Sequence, residues 1–454
     1  MSSFEQLDEK PFSRFHLLAM FTTGMGVFTD GYDLSSIGLV LPLCLASFGV
    51  DHISGFQSGL LTGSALVGSV VGALLFGFLA QKGRKKFYGI DVGIMAVAAA
   101  AQAFAPNLWT LIAIRFVLGI GVGADYVLSP TIMAEHANRK DRGKKLALGF
   151  GAMWGVGAIF AALVLLLLEQ LGVSPDLRWR IVLGFGTVPA LSVLTLRRRM
   201  PETARYLARV EGNTAEAQRV IEGITGTAMV SAPITDRRAW RELLAKHARP
   251  VLGAALLWMV YDIVLYSGVL FGPSVIASGL HMTEVGFTLL TYAVLGTPAT
   301  LIGCLLVDRA GRRALTAVGF GLCGLGLFGF APLLGSASAS PVALFVMFGV
   351  YNCALCLGPG AISGAGLLGV ELAPTRIRSI AQAVTVVGGR IGAAIAAFVF
   401  PALLGVIGKS ALMVALGGVS IFGAAITFFA VPETKGRSLE EINDDADDAI
   451  ARAT

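Results

Sequence analysis

"GADYVLSPTIMAE", residues 123–135, closes an apolar run and holds a carboxylate inside it. Asp125 precedes Glu135 by ten residues, and after Glu135 the chain turns into the basic segment "HANRKDRGKK". At about 1.5 Å of rise per residue, Asp125 lies roughly 15 Å from that polar boundary. Because the apolar core of a bilayer is about 30 Å thick, the pattern predicts a carboxylate near the middle of a membrane-spanning helix.

The composition agrees with a membrane protein. The 454 residues are 55% apolar and 14% charged, whereas soluble domains carry about 25% charged residues. The formal charge of +6 does not predict a nucleic-acid partner, because the basic residues stand in short loops between apolar runs. Cys353 and Cys356 form a CxxC pair in an apolar run without a nearby histidine, so we predict neither a metal site nor a cofactor.

Twelve apolar stretches are long enough to cross a bilayer. They span residues 16–43, 56–80, 87–105, 108–133, 146–168, 180–196, 251–277, 286–307, 314–334, 342–368, 380–407 and 410–431. We therefore predict an all-α membrane protein with three parts. These are an N-terminal six-helix bundle at 1–196, a cytoplasmic linker with short helices at 197–249, and a C-terminal six-helix bundle with a cytoplasmic tail at 250–454.

The distribution of lysine and arginine predicts the orientation. One set of loops carries most of them, at residues 82–86, 138–145, 197–249, 308–313 and 375–379. The excess of positive charge on cytoplasmic loops places this set, and both termini, in the cytoplasm. Short loops favour the inner membrane of a prokaryote, and we expect a monomer.

The two halves of the chain repeat each other. "GFLAQKGRKK" (77–86) is answered by "GCLLVDRAGRR" (303–313), and "PETARYL" (201–207) by "PETKGRSLEEI" (432–442). Repeats at half the chain length are typical of transporters with a site near the midplane, between two bundles.

These paired motifs and the six-plus-six pattern resemble the major facilitator superfamily, in particular its sugar-porter-like branch. The resemblance implies two bundles that rock around a central cavity, gated by residues at the cytoplasmic loops. The implied gating residues are Gly83, Arg84, Glu135, Arg142, Asp308, Gly311, Arg312, Glu371 and Arg378. The first half has Gln81 where the family usually has Asp, so the gating contact of that carboxylate is not expected there.

Charged residues inside predicted spans are functional candidates, because each costs about 2.5–3.5 kcal/mol to insert. None of the five histidines falls in mid-span, so proton carrying at membrane depth is assigned to aspartates. Asp30 and Asp33 stand at i and i+3 on one helix face, where two carboxylates do not readily both ionise. "GYD" with an Arg before "GIGVG" is similar to proton-coupled sugar porters, which implies that Asp33 accepts the proton and Arg115 is its partner. A structural Asp33–Arg115 ion pair is the alternative, and Asp91 joins the proton-coupling set.

A second group of residues is assigned to the substrate. Trp258, Asp262 and Tyr266 are spaced by four and form one stripe, which favours a cavity lining over ordinary packing. Arg390 stands among glycines and presents a planar fork suited to an anion. A counter-ion for Asp262 is the alternative role of Arg390.

The opening stretch is similar to a signature of phosphate:proton symporters, Gly-Gly-Asp-Tyr-Pro-Leu-Ser-Ala-Thr-Ile-x-Ser-Glu, and departs from it at Ala124, Val127, Pro130 and Ala134. The resemblance implies that Asp125 and Tyr126 contact the anion in the central cavity. The alternative is an Asp125 satisfied by the backbone or by Ser129.

Three departures from these symporters concern the substrate. Trp154 replaces a Gln, Gly360 replaces an Asn, and Arg390 replaces a Lys. We expect a proton-coupled symporter for a small anion, first phosphate and next an organic or aromatic carboxylate. A sugar symporter, a sugar-phosphate antiporter and a non-transporting nutrient sensor are less well supported, and no motif predicts an enzyme. The tail 440–454 is too short for a sensor extension and is interpreted as a solvated helix.

Overall fold

Every regular element in the computed structural model is a helix within the residues that it describes, 4–50, 53–227, 235–277, 282–334, 336 and 338–443. Among the described residues, ten helices that match predicted spans precede the last long helical segment: α1 Arg14–Ser47, α2 Gly55–Leu79, α3 Ile90–Gln102, α4 Leu108–His136, α5 Arg142–Gln170, α6 Pro175–Arg199, α7 Ala248–Val275, α8 Glu284–Ala310, α9 Arg312–Leu334 and α10 Pro341–Gly360.

The last long helical segment, Arg378–Ala430, contains two spans. Its 53 residues would extend about 80 Å if straight, more than twice the apolar thickness of a bilayer. The segment breaks at Gly408, whose φ of 78° lies in the left-handed region that glycine adopts readily. We therefore name residues 378–407 α11 and residues 409–430 α12.

The helices correspond to the twelve predicted spans, with three main differences. α10 ends at Gly360 rather than at the predicted 368, and a separate short helix, Leu367–Glu371, follows it. α3 has only 13 residues, against the predicted 87–105, because a turn at Gly89 with φ 108° precedes its first residue. α6 continues to Arg199, so Arg197, predicted to belong to the linker, is buried at the end of a membrane helix.

The predicted linker contains short helices at Ala204–Tyr206, Thr214–Thr225 and Trp240–Lys246. The tail begins with a helix at Leu439–Ile442, where Glu440 is buried rather than solvated as predicted, and residues after 443 lie outside the described part. The exact limits of the three predicted parts stay predictions.

Glycine allows the helices to approach closely. A Cβ on Gly68 or Gly72 of α2 would lie 2.0–2.1 Å from carbonyl oxygens of α4, and one on Gly119 of α4 would lie 2.0 Å from a carbonyl of α2. Such contacts are possible only without a side chain, and they are common between membrane helices. Tight pairs of this kind hold the walls of the central cavity in place.

Candidate functional site

A small cavity lies between helices of the two halves, with about 40 Å³ of free volume. Its wall is mainly aromatic and holds two charged groups. The lining includes Tyr126, Trp154, Trp258, Tyr261, Tyr266, Tyr292, Asp262 and Arg390. The volume suits a few water molecules, whereas ligand pockets measure about 300–1,000 Å³. Side chains must therefore move to admit a substrate.

Three of the helices around the cavity contain a wide π-helical turn. These turns are Ala147–Gly151 in α5, Leu290–Gly296 in α8 and Cys356–Gly360 in α10. Each ends in a glycine, and all three glycines line the cavity. π-turns occur frequently at functional sites, because they interrupt the regular hydrogen-bond ladder of a helix.

Arg390 is the cation of the cavity and lies between two carboxylates. Its Nη2 is 3.5 Å from Asp30 Oδ2, and its Nη1 is 3.9 Å from Asp262 Oδ2. Nη1 also donates to Tyr266 Oη at 2.8 Å, and the guanidinium lies 4.2 Å from the centre of the Tyr126 ring. All of these groups are buried, so the three charges are shielded from bulk water.

Asp30 connects the N-terminal half to this cation. Its Oδ2 accepts hydrogen bonds from Tyr126 Oη at 2.8 Å and from Trp154 Nε1 at 3.1 Å. The sequence predicts Asp30 for proton coupling only. In the structure, its carboxylate also contacts the cavity residues directly.

Most of the predicted substrate residues meet at the cavity. Tyr126, Trp154, Trp258, Asp262, Tyr266 and Arg390 all line it. Asp125 does not line it in this structure, so its contact with a substrate stays a prediction. Its Oδ1 accepts from Arg197 Nη1 at 2.6 Å and from Ser129 Oγ at 2.5 Å, the second of which matches the alternative from the sequence. The side chains of consecutive helix residues point about 100° apart, so Asp125 and Tyr126 point in different directions, and Tyr126 faces the cavity.

Arg197 organises a second buried cluster inside the N-terminal half. Its Nη1 lies 2.6 Å from both Asp91 Oδ2 and Asp125 Oδ1, and its guanidinium lies 4.6 Å from the centre of the Tyr88 ring. Sequence reasoning missed Arg197 because it opens a run of three arginines that reads as the start of a polar segment. The apolar run that directly precedes it was the available signal.

The structural ion pair between Asp33 and Arg115, which the sequence left as the alternative, is not formed in the described chain. Arg115 donates to the carbonyl oxygen of Leu61 and to Gln102 Oε1, both at 3.1 Å. Neither carboxylate oxygen of Asp33 has a hydrogen-bond partner in the described chain, and the group packs beside Gly186 of α6. Asp30 and Asp33 therefore face different surroundings, the first at the cavity and the second within the N-terminal half.

The end of the bundle that holds loops 82–86, 137–141 and 308–313, here called the basic face, contains two matched charge clusters. Glu135 binds Arg84 at 2.9 Å and Arg378 at 2.8 Å, and it accepts from the Thr203 hydroxyl. This cluster joins the two halves, because Arg84 and Arg378 belong to different halves.

The second cluster repeats the first with the halves exchanged. Glu371 binds Arg142 at 2.8 Å and Arg312 at 2.8 Å, and it accepts from Thr434 Oγ1 at 2.6 Å. Burial would raise the pKa of Glu371, but Arg312 and Arg142 outweigh burial and lower the pKa to about 2. Glu371 thus stays ionised at any physiological pH.

The two repeated loops close this face by different contacts. Asp308 accepts from the backbone N–H of Lys144 at 2.7 Å, whereas Gln81 donates to Ser379 Oγ at 2.6 Å. At Gln81, a neutral hydrogen bond between the halves therefore takes the place of the carboxylate contact that is usual in the family. This agrees with the sequence, which predicted no carboxylate contact at this position. Gly83 and Gly311 have φ values of 119° and 92°, so each loop needs a glycine there.

Arg205 forms a further cluster that sequence reasoning missed. It binds Asp8 and Glu440, each at 2.8 Å, and donates to the carbonyl oxygen of Glu135 at 2.7 Å. Burial raises the pKa of Asp8 to about 6 despite the neighbouring Arg205. Burial would also raise the pKa of Glu440, but Arg205 outweighs it and lowers the pKa to about 2.

The chain matches the family described as "Sugar (and other) transporter" over residues 19–446. It belongs to this transporter family. It is 32% identical to the low affinity inorganic phosphate transporter 4 of Lotus japonicus, over 97% of this chain and 93% of the relative. It is also 30% identical to inorganic phosphate transporter 1-11 of Oryza sativa subsp. japonica, over 97% of this chain and 89% of the relative.

Solved structures show the fold of this family member. The proton:xylose symporter XylE bound to 6-bromo-6-deoxy-D-glucose is similar with a TM-score of 0.82, at 21% identity, over 95% of this chain and 98% of that chain. The chain therefore has the major facilitator fold, with twelve helices in two six-helix bundles. It is a multi-pass membrane protein of the phosphate:proton symporter-like branch.

A second solved structure shares the fold with a lower score. The inward open conformation of the xylose transporter XylE from E. coli is similar with a TM-score of 0.68, at 20% identity and 95% coverage of this chain.

Proposed function

We propose that the protein is a proton-coupled symporter that imports a small anion. The observation that carries the proposal is Arg390 between Asp30 and Asp262 in a buried cavity between the halves. With both carboxylates ionised, they compete with a substrate anion for the one guanidinium. Protonation of either carboxylate frees the guanidinium for the anion, so proton entry and anion entry are linked by charge balance.

Inorganic phosphate is the first candidate for the anion. The named relatives are inorganic phosphate transporters over nearly the whole chain. A planar guanidinium binds phosphate oxygens with two parallel hydrogen bonds, and Tyr126 and Tyr266 supply hydroxyl groups beside it.

An organic carboxylate is the second candidate, because of Trp154. Its ring centre lies 5.6 Å from that of Tyr292 and 6.2 Å from that of Tyr266, which gives the cavity a continuous aromatic wall. Gly360, which has no side chain to donate a hydrogen bond, lies beside Tyr261. Aromatic rings stack on planar apolar groups, which phosphate lacks.

We further propose that the basic face and both termini are cytoplasmic, in the inner membrane, and that the protein works as a monomer. In this orientation, Asp33 and one cavity carboxylate take protons from outside and the anion binds at Arg390. The clusters at Glu135 and Glu371 then separate to release both to the cytoplasm.

Labelled phosphate uptake into liposomes under an inward proton gradient tests the function. We expect gradient-dependent uptake that is lost in Asp262→Asn and kept in Asp176→Asn, a matched change at an exposed aspartate. Uptake by Asp262→Asn equal to that of the unchanged protein would overturn the coupling role of the cavity.

Competition by unlabelled benzoate and glucose separates the candidate substrates. Uptake that neither benzoate nor glucose blocks supports the first candidate, and uptake that benzoate blocks supports the second. Trp154→Gln is expected to shift preference toward phosphate, whereas Trp240→Gln, on the surface, leaves the preference unchanged. Block by glucose alone would contradict both anions.

A further inference from the structure

An apolar groove of about 720 Å³ opens on the outer surface of the N-terminal half, between α3, α4 and α6. Its wall is formed by exposed or half-buried aliphatic residues, among them Ile90, Val97 and Val117, which are 48%, 73% and 47% exposed. Because this surface lies outside the bundle of a multi-pass membrane protein, the groove faces lipid chains.

Small residues form part of the lining of the groove. A Cβ on Gly93 of α3 would meet no atom within 4 Å, and Ala101 and Ala113 also line the groove. The central cavity and the groove share no lining residue, and none of the proposed substrate residues lines the groove. The groove is therefore a separate feature of the molecule.

One end of the groove carries a cation. Arg198, in the last turn of α6, lines the groove, and its stem packs against Gly89 at the start of α3. Arg198 is exposed and forms no ion pair in the part of the chain that the structure describes. Lys85 and Lys86, also exposed, come four and three residues before Gly89. The apolar groove thus ends in positive charge at the basic face.

The internal repeat shows that this charge is not a general property of the fold. Alignment of "PETARYL" with "PETKGRSL" places Phe429, 80% exposed, in the position of Arg198. Alignment of "GRKK" with "GRRA" places Gly321 in the position of Gly93. The C-terminal half therefore offers lipid an aromatic ring where the N-terminal half offers a guanidinium.

We propose that this groove binds one anionic glycerophospholipid, with an acyl chain along α3 and α4 and the phosphodiester at Arg198. A groove that is apolar along the membrane and cationic at its polar end complements a lipid with a charged head and long chains. Clusters of lysine and arginine next to the membrane attract anionic lipids, with a factor of about five in affinity per residue.

Native mass spectrometry of the full chain tests the proposal, with equal amounts of dioleoyl phosphatidylglycerol and dioleoyl phosphatidylcholine. We expect one tightly retained phosphatidylglycerol. Arg198→Gln is expected to lower the preference for phosphatidylglycerol about fivefold. Arg199→Gln removes the same charge from a neighbour that does not line the groove, and is expected to have a smaller effect.

Gly93→Leu adds a side chain whose Cβ meets no atom within 4 Å, and it is expected to abolish retention of the lipid by occupying the groove. Gly321→Leu, the matched change in the C-terminal half, also meets open space and is expected to leave retention unchanged. Unfolding temperatures of all four variants check that each is folded. Glycerol 3-phosphate, which has the anion without chains, is expected not to displace the lipid.

Equal loss of preference in Arg198→Gln and Arg199→Gln would overturn the site in favour of general surface charge. Retention of the lipid by Gly93→Leu, or its equal loss in Gly321→Leu, would also overturn it.

Discussion

The central cavity and the basic face hold charge in opposite ways. In the cavity, one arginine faces two carboxylates at 3.5 and 3.9 Å. At the basic face, Glu371 holds two arginines at 2.8 Å and a threonine hydroxyl at 2.6 Å. Loose contacts leave Arg390 available to a ligand, whereas saturated contacts hold the two halves together. The difference separates a site built for exchange from one built for closure.

Removal of the cavity cation is the most severe test of this comparison. We expect Arg390→Gln to lower uptake roughly 100-fold, because Asp30 and Asp262 lose their buried counter-charge and the anion loses its partner. Arg390→Lys is expected to keep part of the uptake. Initial rates in liposomes measure the effect, with Arg219→Gln on the surface as the control. Normal uptake by Arg390→Gln would show that the anion binds elsewhere.

Loosening of the basic face is expected to have the next largest effect. Glu371→Gln leaves Arg142 without its buried carboxylate partner and leaves Arg312 with Asp308 alone, which favours separation of the halves by at least about tenfold. Cys356 lines the cavity, so its rate of maleimide labelling reports access, in a chain whose other cysteines are replaced.

We expect faster labelling of Cys356 in Glu371→Gln from the basic-face side and no change in Glu216→Gln, on an exposed helix. An unchanged labelling rate in Glu371→Gln would mean that other contacts hold the face closed.

The N-terminal segment is expected to respond to pH more modestly. The pKa of Asp8 is raised to about 6 when the segment is docked, so docking is favoured most below pH 4 and weakens as the pH rises through about 6. Proteolysis near residues 4–8 should be roughly fivefold faster at pH 8 than at pH 5. In Asp8→Asn the rates at the two pH values should be equal, and a remaining pH difference there would assign the effect to another group.

Restoration of a carboxylate at the first repeated loop should have the smallest effect. Gln81→Asp places negative charge near the first turn of α11, where it is favoured by the helix dipole. We expect Cys356 labelling to slow by about two- to fivefold. Faster labelling would show that the neutral hydrogen bond to Ser379 is the better closing contact.

The sequence predicted those features that depend on local spacing. Trp258, Asp262 and Tyr266 recur every four residues, so their common face follows from helix geometry alone. Hydropathy located the spans, including the two that lie on either side of the break at Gly408 in the 53-residue segment.

Features that depend on packing could not be predicted in the same way. Asp125 and Tyr126 are neighbours, and which of them faces the cavity depends on Gly26. A Cβ on Gly26 would lie 2.1 Å from Asp125 Oδ2, so the close approach of α1 to α4 decides the direction. Arg197 contacts Asp125, which lies 72 positions away in the sequence. A run of three arginines gives no indication of so distant a partner.

The arrangement of arginines around the two glutamates has a consequence for the leakage of ions across the membrane. Because Glu135 and Glu371 each bind one arginine from each half, full separation of the halves at the basic face breaks both clusters. A membrane that stores energy as a proton gradient benefits from this double closure, since each cluster by itself still bridges the two halves.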